Sequence, residues 1–195
     1  HELGVWQALL PGLQCSDVLI KHLHDARDYI DWFEKLQTGA RLERWLVYLL
    51  LLSGGVAAEE LGNWPERLAL SKRERDMLLS FAACREHLAA GLAQPIDNQH
   101  IYELLEGQAP ECQVAVAVLQ GEAVRQQMAD YWQHLVNIRV EINGHDLLGI
   151  GLKPGPEVGE ILRRLHMARL NGQVANKEQE LALARQLLLT PEEGR

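Results

Sequence analysis

Apolar residues recur every three to four positions along almost the whole of this chain, and the period-two alternation of a half-buried strand is almost absent. Such a chain can bury its apolar side chains only by packing helix on helix. Val18, Leu19, Leu23, Ala26, Ile30, Phe33 and Leu36 predict a first helix, opened by Ser16 or Asp17 and closed at Thr38-Gly39. Leu42, Trp45, Leu46, Leu49, Leu50 and Leu52 predict a second, stopped by Gly54-Gly55. Ser71-Lys72-Arg73-Glu74 is a capping box at the head of a long helix through about Leu88. Asp97 is expected to cap a short helix bearing Ile101, Leu104 and Leu105, and Pro110 to start another over 111–119. After the break at Gly121, residues 123–140 are expected as one long helix with Met128, Tyr131, Trp132 and Leu135 on its apolar side. Soft boundaries fall at 93–98 and 141–144. The expected fold is all-α, a multi-helix body over 1–141 followed by a small helix-turn-helix tail over 142–195.

A length of 195 residues suits one large helical domain or two small ones. The chain starts with His rather than Met, so a segment of a longer protein is expected. Cys15, Cys84 and Cys112 are odd in number and far apart, which indicates neither a disulfide framework nor a paired-cysteine metal site. No signal peptide is visible. The longest apolar run, 45–52, is far short of the roughly 20 residues of a membrane span. A reducing cytoplasm is the simple expectation, with no membrane partner.

The net charge of −8 argues against a general nucleic-acid binder, since such domains are usually basic. The excess is uneven: residues 1–141 carry 12 basic and 20 acidic side chains, whereas 142–175 carry 4 and 3. Any contact with nucleic acid should therefore be local and made partly through backbone amides. Catalytic patterns are missing: no nucleophile elbow, phosphate-binding loop or dinucleotide fingerprint occurs. His24 and Asp28 share a helix face, but His22 points elsewhere, so a solvated face is expected rather than a metal site. Cys84 reads as a small core residue. Trp6, Trp32, Trp45, Trp64 and Trp132 stand at positions that suit core packing better than base stacking. Lys72, Arg73 and Arg75 oppose the dipole at a helix start, which suits either a phosphate contact or a tolerated surface, while Arg41 and Arg44 read as a solvated rim.

One stretch carries more information. Ile142-Asn143-Gly144-His145-Asp146-Leu147-Leu148-Gly149-Ile150 predicts a short apolar helix, Gly151-Leu152-Lys153-Pro154-Gly155-Pro156 a turn, and Pro156 the first position of a second helix. Backbone N–H groups at such a helix start can hold a phosphate without reading sequence. The same turn can equally be only a connection between helices.

With Ile161, Leu162, Leu165, Ala168, Arg169, Leu170, Gly172, Val174, Asn176, Glu178 and Glu180, this stretch resembles the C-terminal signature of the bacterial tRNA nucleotidyltransferases, the family of CCA-adding enzymes, A-adding enzymes and poly(A) polymerases. The resemblance rests on residues 142–185. The chain departs from the family pattern at Asn171, where Asp is usual, and at Ala175-Asn176-Lys177, where a Thr-Arg cap is common. The resemblance implies a body and tail that hold the tRNA acceptor arm and elbow for addition of CMP and AMP, or AMP alone, from CTP and ATP with Mg²⁺. No Asp-x-Asp metal-binding pair and no Asp-x-x-Arg nucleotide-selecting element occurs here, so the catalytic head and neck are expected upstream of His1, with no catalytic residue, metal site or cofactor in this segment. The residues implied to meet RNA are Lys153, Gly155, Arg163, Arg164 and Arg169; Arg163 could instead pair with Glu160. Two rivals remain open at this level: a helix-hairpin-helix module that grips duplex DNA, and a structural module that forms a homodimer.

Overall fold

A computed structural model describes residues 8–36, 38–94 and 96–189. In chain order its helices are α1 (Asp17–Lys35), α2 (Arg44–Ser53), the single turns α3 (Ala58–Leu61) and α4 (Trp64–Arg67), α5 (Lys72–Leu92), α6 (Asn98–Leu105), α7 (Pro110–Gln120), α8 (Glu122–Gln133), α9 (Gly144–Gly149), α10 (Pro156–Leu170) and α11 (Lys177–Leu189). A short 3-10 turn spans Leu135–Asn137. The described residues contain no strand, so the chain is all-α. They divide into two compact units, one of residues 1–96 and 104–133, the other of 97–103 and 134–195. The second unit thus begins before the expected tail and also takes in a piece of chain at the first soft boundary.

The first unit is built round α7. Its residues 111–118 are all buried, and α1, α2, α5 and α8 pack against it. A helix apolar on every side is the core of its domain, and the run of Val and Ala there lets its neighbours approach closely. The two polar side chains it buries both make hydrogen bonds, Glu111 through one of its two carboxylate oxygens. Glu111 accepts the backbone N–H of Glu43 at 3.0 Å, and Gln113 donates to the Leu105 carbonyl at 3.0 Å while accepting the indole N–H of Trp132 at 2.7 Å.

The expected caps are present. Ser16 accepts the N–H of Leu19 at 3.1 Å, Ser71 and Glu74 close their capping box, Asp97 accepts the N–H of His100 at 2.9 Å, and Gly121 leaves α7 with φ +90°. Two expectations fail. The long helix over 123–140 stops at Gln133; His134 turns out of it at φ −122°, ψ −61°. The chain that follows carries Val136, Ile138 and Val140, whose branched side chains lose rotamer freedom in a helix. Trp45 is the second. The buried side of α2 is taken by Leu46, Val47, Leu49, Leu50, Leu51 and Ser53, which leaves the stripe of Trp45, Tyr48 and Leu52 outward, with Trp45 47% exposed. Trp64 is fully buried and donates its indole N–H to the Pro11 carbonyl at 2.9 Å; Trp32 and Trp132 are half-buried, and Trp6 lies outside the described residues.

In the second unit α9, α10 and α11 enclose a small core of Ile142, Leu147, Leu152, Ile161, Leu165 and Ala184, bordered by Leu181 and Leu187. No described helix is long and apolar enough to cross a membrane.

Candidate nucleic-acid interface

The short helix that leads into the turn between α9 and α10 is fixed at its start. Asn143 accepts the N–H groups of His145 (2.8 Å) and Asp146 (3.3 Å), and Asp146 accepts the N–H of Asn143 at 2.9 Å, so α9 starts in a reciprocal capping box. Lys177, at the head of α11, reaches the same Asp146 carboxylate at 3.0 Å. Gly151 then reverses the chain at φ +107°, a conformation that L side chains rarely adopt. The reversal drops Leu152 into the core, where its N–H meets the Leu147 carbonyl at 3.2 Å. Lys153, Pro154 and Gly155 are left exposed outside it.

Gly155 is the N-cap of α10, with φ 166° and ψ −177°. That is extended backbone, open to any residue. A Cβ added at Gly155, or at Gly159 inside the exposed side of the helix, would meet nothing within 4 Å. The chain's own packing therefore demands a glycine at neither place, and a mid-helix glycine costs about 1 kcal/mol relative to alanine. Gly155, Gly159 and Arg163 are spaced by four, so they lie along one face of α10, turned away from the core residues Ile161 and Leu165. The result is a strip of bare backbone framed by Lys153 and Arg163. Glu157 and Glu160 lie in the same stretch, so the strip is close to neutral.

The basic side chains separate by how firmly the chain already holds them. Arg163 is mostly exposed and meets Glu160 at 3.4 Å and Glu103 at 3.5 Å; exposed pairs of that kind contribute about 0–1 kcal/mol each. Arg164, one position round the helix and half-buried, lines a groove with Gln99 and Gln173. Arg169 lies apart from these. It is paired with Glu180 and, at 2.7 Å, with Glu141. Glu180 is fully buried and also accepts the backbone N–H groups of Glu141 (2.9 Å) and Ile142 (3.0 Å). Sequence reading missed Glu180 as a brace; the available signal was its place four residues before Ala184, on the face of α11 that enters the core.

The departures from the family pattern are filled by groups that still cap. Asn171 ends α10 and accepts the N–H of Gln99 at 3.0 Å, while Asn176 opens α11 by accepting the N–H of Gln179 at 3.0 Å. In the first unit Arg44, Arg73 and Arg75 are engaged by acids. Arg73 is paired with Glu43, Arg75 lies 3.9 Å from Asp76, and Arg44 lies 2.8 Å from Asp31 and bonds Glu34. Burial raises the Cys84 thiol above its ordinary range and pushes Cys112 up to about 12. His24 and Asp28 are exposed on α1, and among the described residues no three His, Cys, Asp or Glu side chains converge as a metal site.

Comparison with known proteins agrees with this architecture. The sequence profile of tRNA nucleotidyltransferase domain 2 matches residues 34–184. An A-adding tRNA nucleotidyltransferase of Geobacter sulfurreducens is 29% identical over 189 residues, covering 93% of this chain and 22% of that protein. A second, from Halalkalibacterium halodurans, is 26% identical over 196 residues, covering 95% and 40%. The solved Thermotoga maritima CCA-adding enzyme complexed with tRNA has the same fold over 96% of this chain and 45% of its own, with a TM-score of 0.78 at 19% identity. The chain thus spans less than half the length of these relatives. With a profile match across most of its length, the chain belongs to the tRNA nucleotidyltransferase family.

Proposed function

We propose that this chain is the RNA-holding body and tail of a tRNA nucleotidyltransferase. In this reading it positions a tRNA so that the 3′ end reaches a transfer site carried by another part of a longer protein. The observation that carries it is the bare face of α10: Gly155 and Gly159 leave space that the chain itself does not use, beside Lys153 and the weakly held Arg163. A sugar-phosphate backbone can approach such a face closely, with the N–H groups at the start of α10 and the two cations as partners. Arg164 borders the same region. Arg169 serves from behind, by holding the chain that enters α9. Tight alignment of reacting groups supplies several kcal/mol of a barrier reduction, so a part that only holds substrate still matters to rate.

The relatives' names support tRNA as the partner and addition of CCA, or of A alone, as the reaction. Mg²⁺, ATP and CTP would be bound by the remainder of the protein, in the cytoplasm.

The test is binding of the chain to a tRNA transcript and to a duplex DNA of similar length, at two salt concentrations. We expect preference for tRNA, weakening as salt rises, with Lys153→Glu losing affinity and lowering the salt slope by about one. Equal binding to DNA would favour the helix-hairpin-helix reading. Concentration-dependent dimerisation without nucleic-acid binding would favour a structural module.

A further inference from the structure

In the second unit, α10, α11 and the start of α6 border a groove of about 340 Å³. Its composition is mixed in a particular way. Its lining combines the apolar side chains of Met167 and Leu183, the carboxamides of Gln99 and Gln173, and the guanidinium groups of Arg163 and Arg164. A carboxamide offers both a donor and an acceptor. That combination matches a nucleobase, whose faces are apolar and whose edges alternate donors and acceptors. Guanidinium groups at the rim supply the partner for the attached phosphate. The volume lies at the small end of ligand clefts, enough for one residue of a polymer and too small for a helix.

The surrounding bonds keep this groove shaped and its arginine available. The backbone N–H of Gln99 is fixed by Asn171 at 3.0 Å, and Asn98 donates to the Leu170 carbonyl at 3.0 Å, so the wall formed by α6 is tied to the end of α10. The side chain of Gln99 is held only loosely, at 3.4 Å from Glu103 and 3.5 Å from Asn171, and can turn toward a ligand. The carboxylates of Glu103 and Glu160 compete for Arg163 at 3.5 and 3.4 Å, distances at which a doubly bonded phosphate is the better partner. Arg169, by contrast, is committed to Glu141 and Glu180.

We infer that this groove receives one unstacked nucleotide of the bound RNA, its base against Met167 and Leu183, its edge read by Gln99 and Gln173, and its phosphate on Arg163. The inference rests on the RNA-holding reading above. It is tested with Gln173→Leu, in an exposed turn where folding is not at stake, together with Gln99→Leu. Each is titrated with a tRNA transcript and with a fully paired RNA duplex that has no unstacked base. The expected result is a loss of about tenfold on tRNA for either variant, the size of a good base contact, and less than twofold on the duplex. Arg163→Gln should weaken both and lower the salt slope by about one. If the unaltered chain binds tRNA and both glutamine variants bind it as tightly, or lose equally on tRNA and duplex, the groove assignment is overturned while the RNA reading stands. If the unaltered chain does not bind tRNA, the RNA reading itself falls and the groove assignment with it.

Discussion

Glu180 ties the head of α11 to the chain that enters α9 and to Arg169 near the end of α10. A carboxylate sealed from water is costly unless each oxygen finds partners, and Glu180 finds two backbone N–H groups and the Arg169 guanidinium. Its neighbours in sequence make it read as one acid in a Glu-rich helix. Its partners lie at 141, 142 and 169, and only folding brings them together. Arg169 is the other half of the same lesson, for its charge suggested a phosphate contact while the fold turns it to Glu141 and Glu180. Lys153 and Gly155 were legible, because a turn punctuated by Gly and Pro places them outside whatever packs beneath. Replacing Glu180 by Leu should cost about 3–5 kcal/mol, since it leaves two backbone N–H groups without partners and takes from Arg169 one of its two carboxylates. Urea denaturation of the variant against the unaltered chain measures this, and a loss below about 1 kcal/mol would show that Glu180 is no brace.

At the scale of elements, starts were easier to read than ends. Caps at Ser16, Ser71 and Asp97 are local chemistry, a side-chain oxygen within three residues of the N–H it accepts. The end of α8 is not local, since the apolar spacing runs on past Gln133 and the break is decided by β-branched residues and by Leu135 entering the interior. The outward stripe of α2 was hidden for a related reason: nearly every residue of that helix is apolar, so periodicity alone could not choose its open side. The start of α9 makes a pH prediction. The Asn143 N–H, and after it Lys177, hold the Asp146 carboxyl below its ordinary range. A lowered folded value means that the stabilisation is present above the unfolded value, near 3.9, and is lost as pH falls through the lower folded one. Thermal melts of the unaltered chain and of Asp146→Asn should therefore differ at pH 6 and draw together progressively as pH falls from about 4 through the lower folded value. A difference that does not change with pH would mean that the carboxylate charge plays no part in the cap.

For the molecule as a whole, fold class and family were legible because both rest on spacing: helical period throughout, and a Gly and Pro turn at fixed offsets. The division into two units was less so, since the second takes residues 97–103 from far upstream in sequence. The face of α10 was half legible. Sequence gave Gly155 a role but not Gly159, whose exposure and empty surroundings appear only when the helix is set on its core. These two glycines also bear most directly on whether the tail holds RNA, because stability and binding should move in opposite directions. The decisive measurement is the melting temperature and the tRNA affinity of Gly159→Ala, taken on the same sample. Gly159→Ala should stabilise the helix by up to about 1 kcal/mol, from the propensity difference, and the new methyl should weaken tRNA binding at least fivefold. A variant that is more stable and binds tRNA as tightly as the unaltered chain would contradict this expectation, leaving the bare face of α10 without a function.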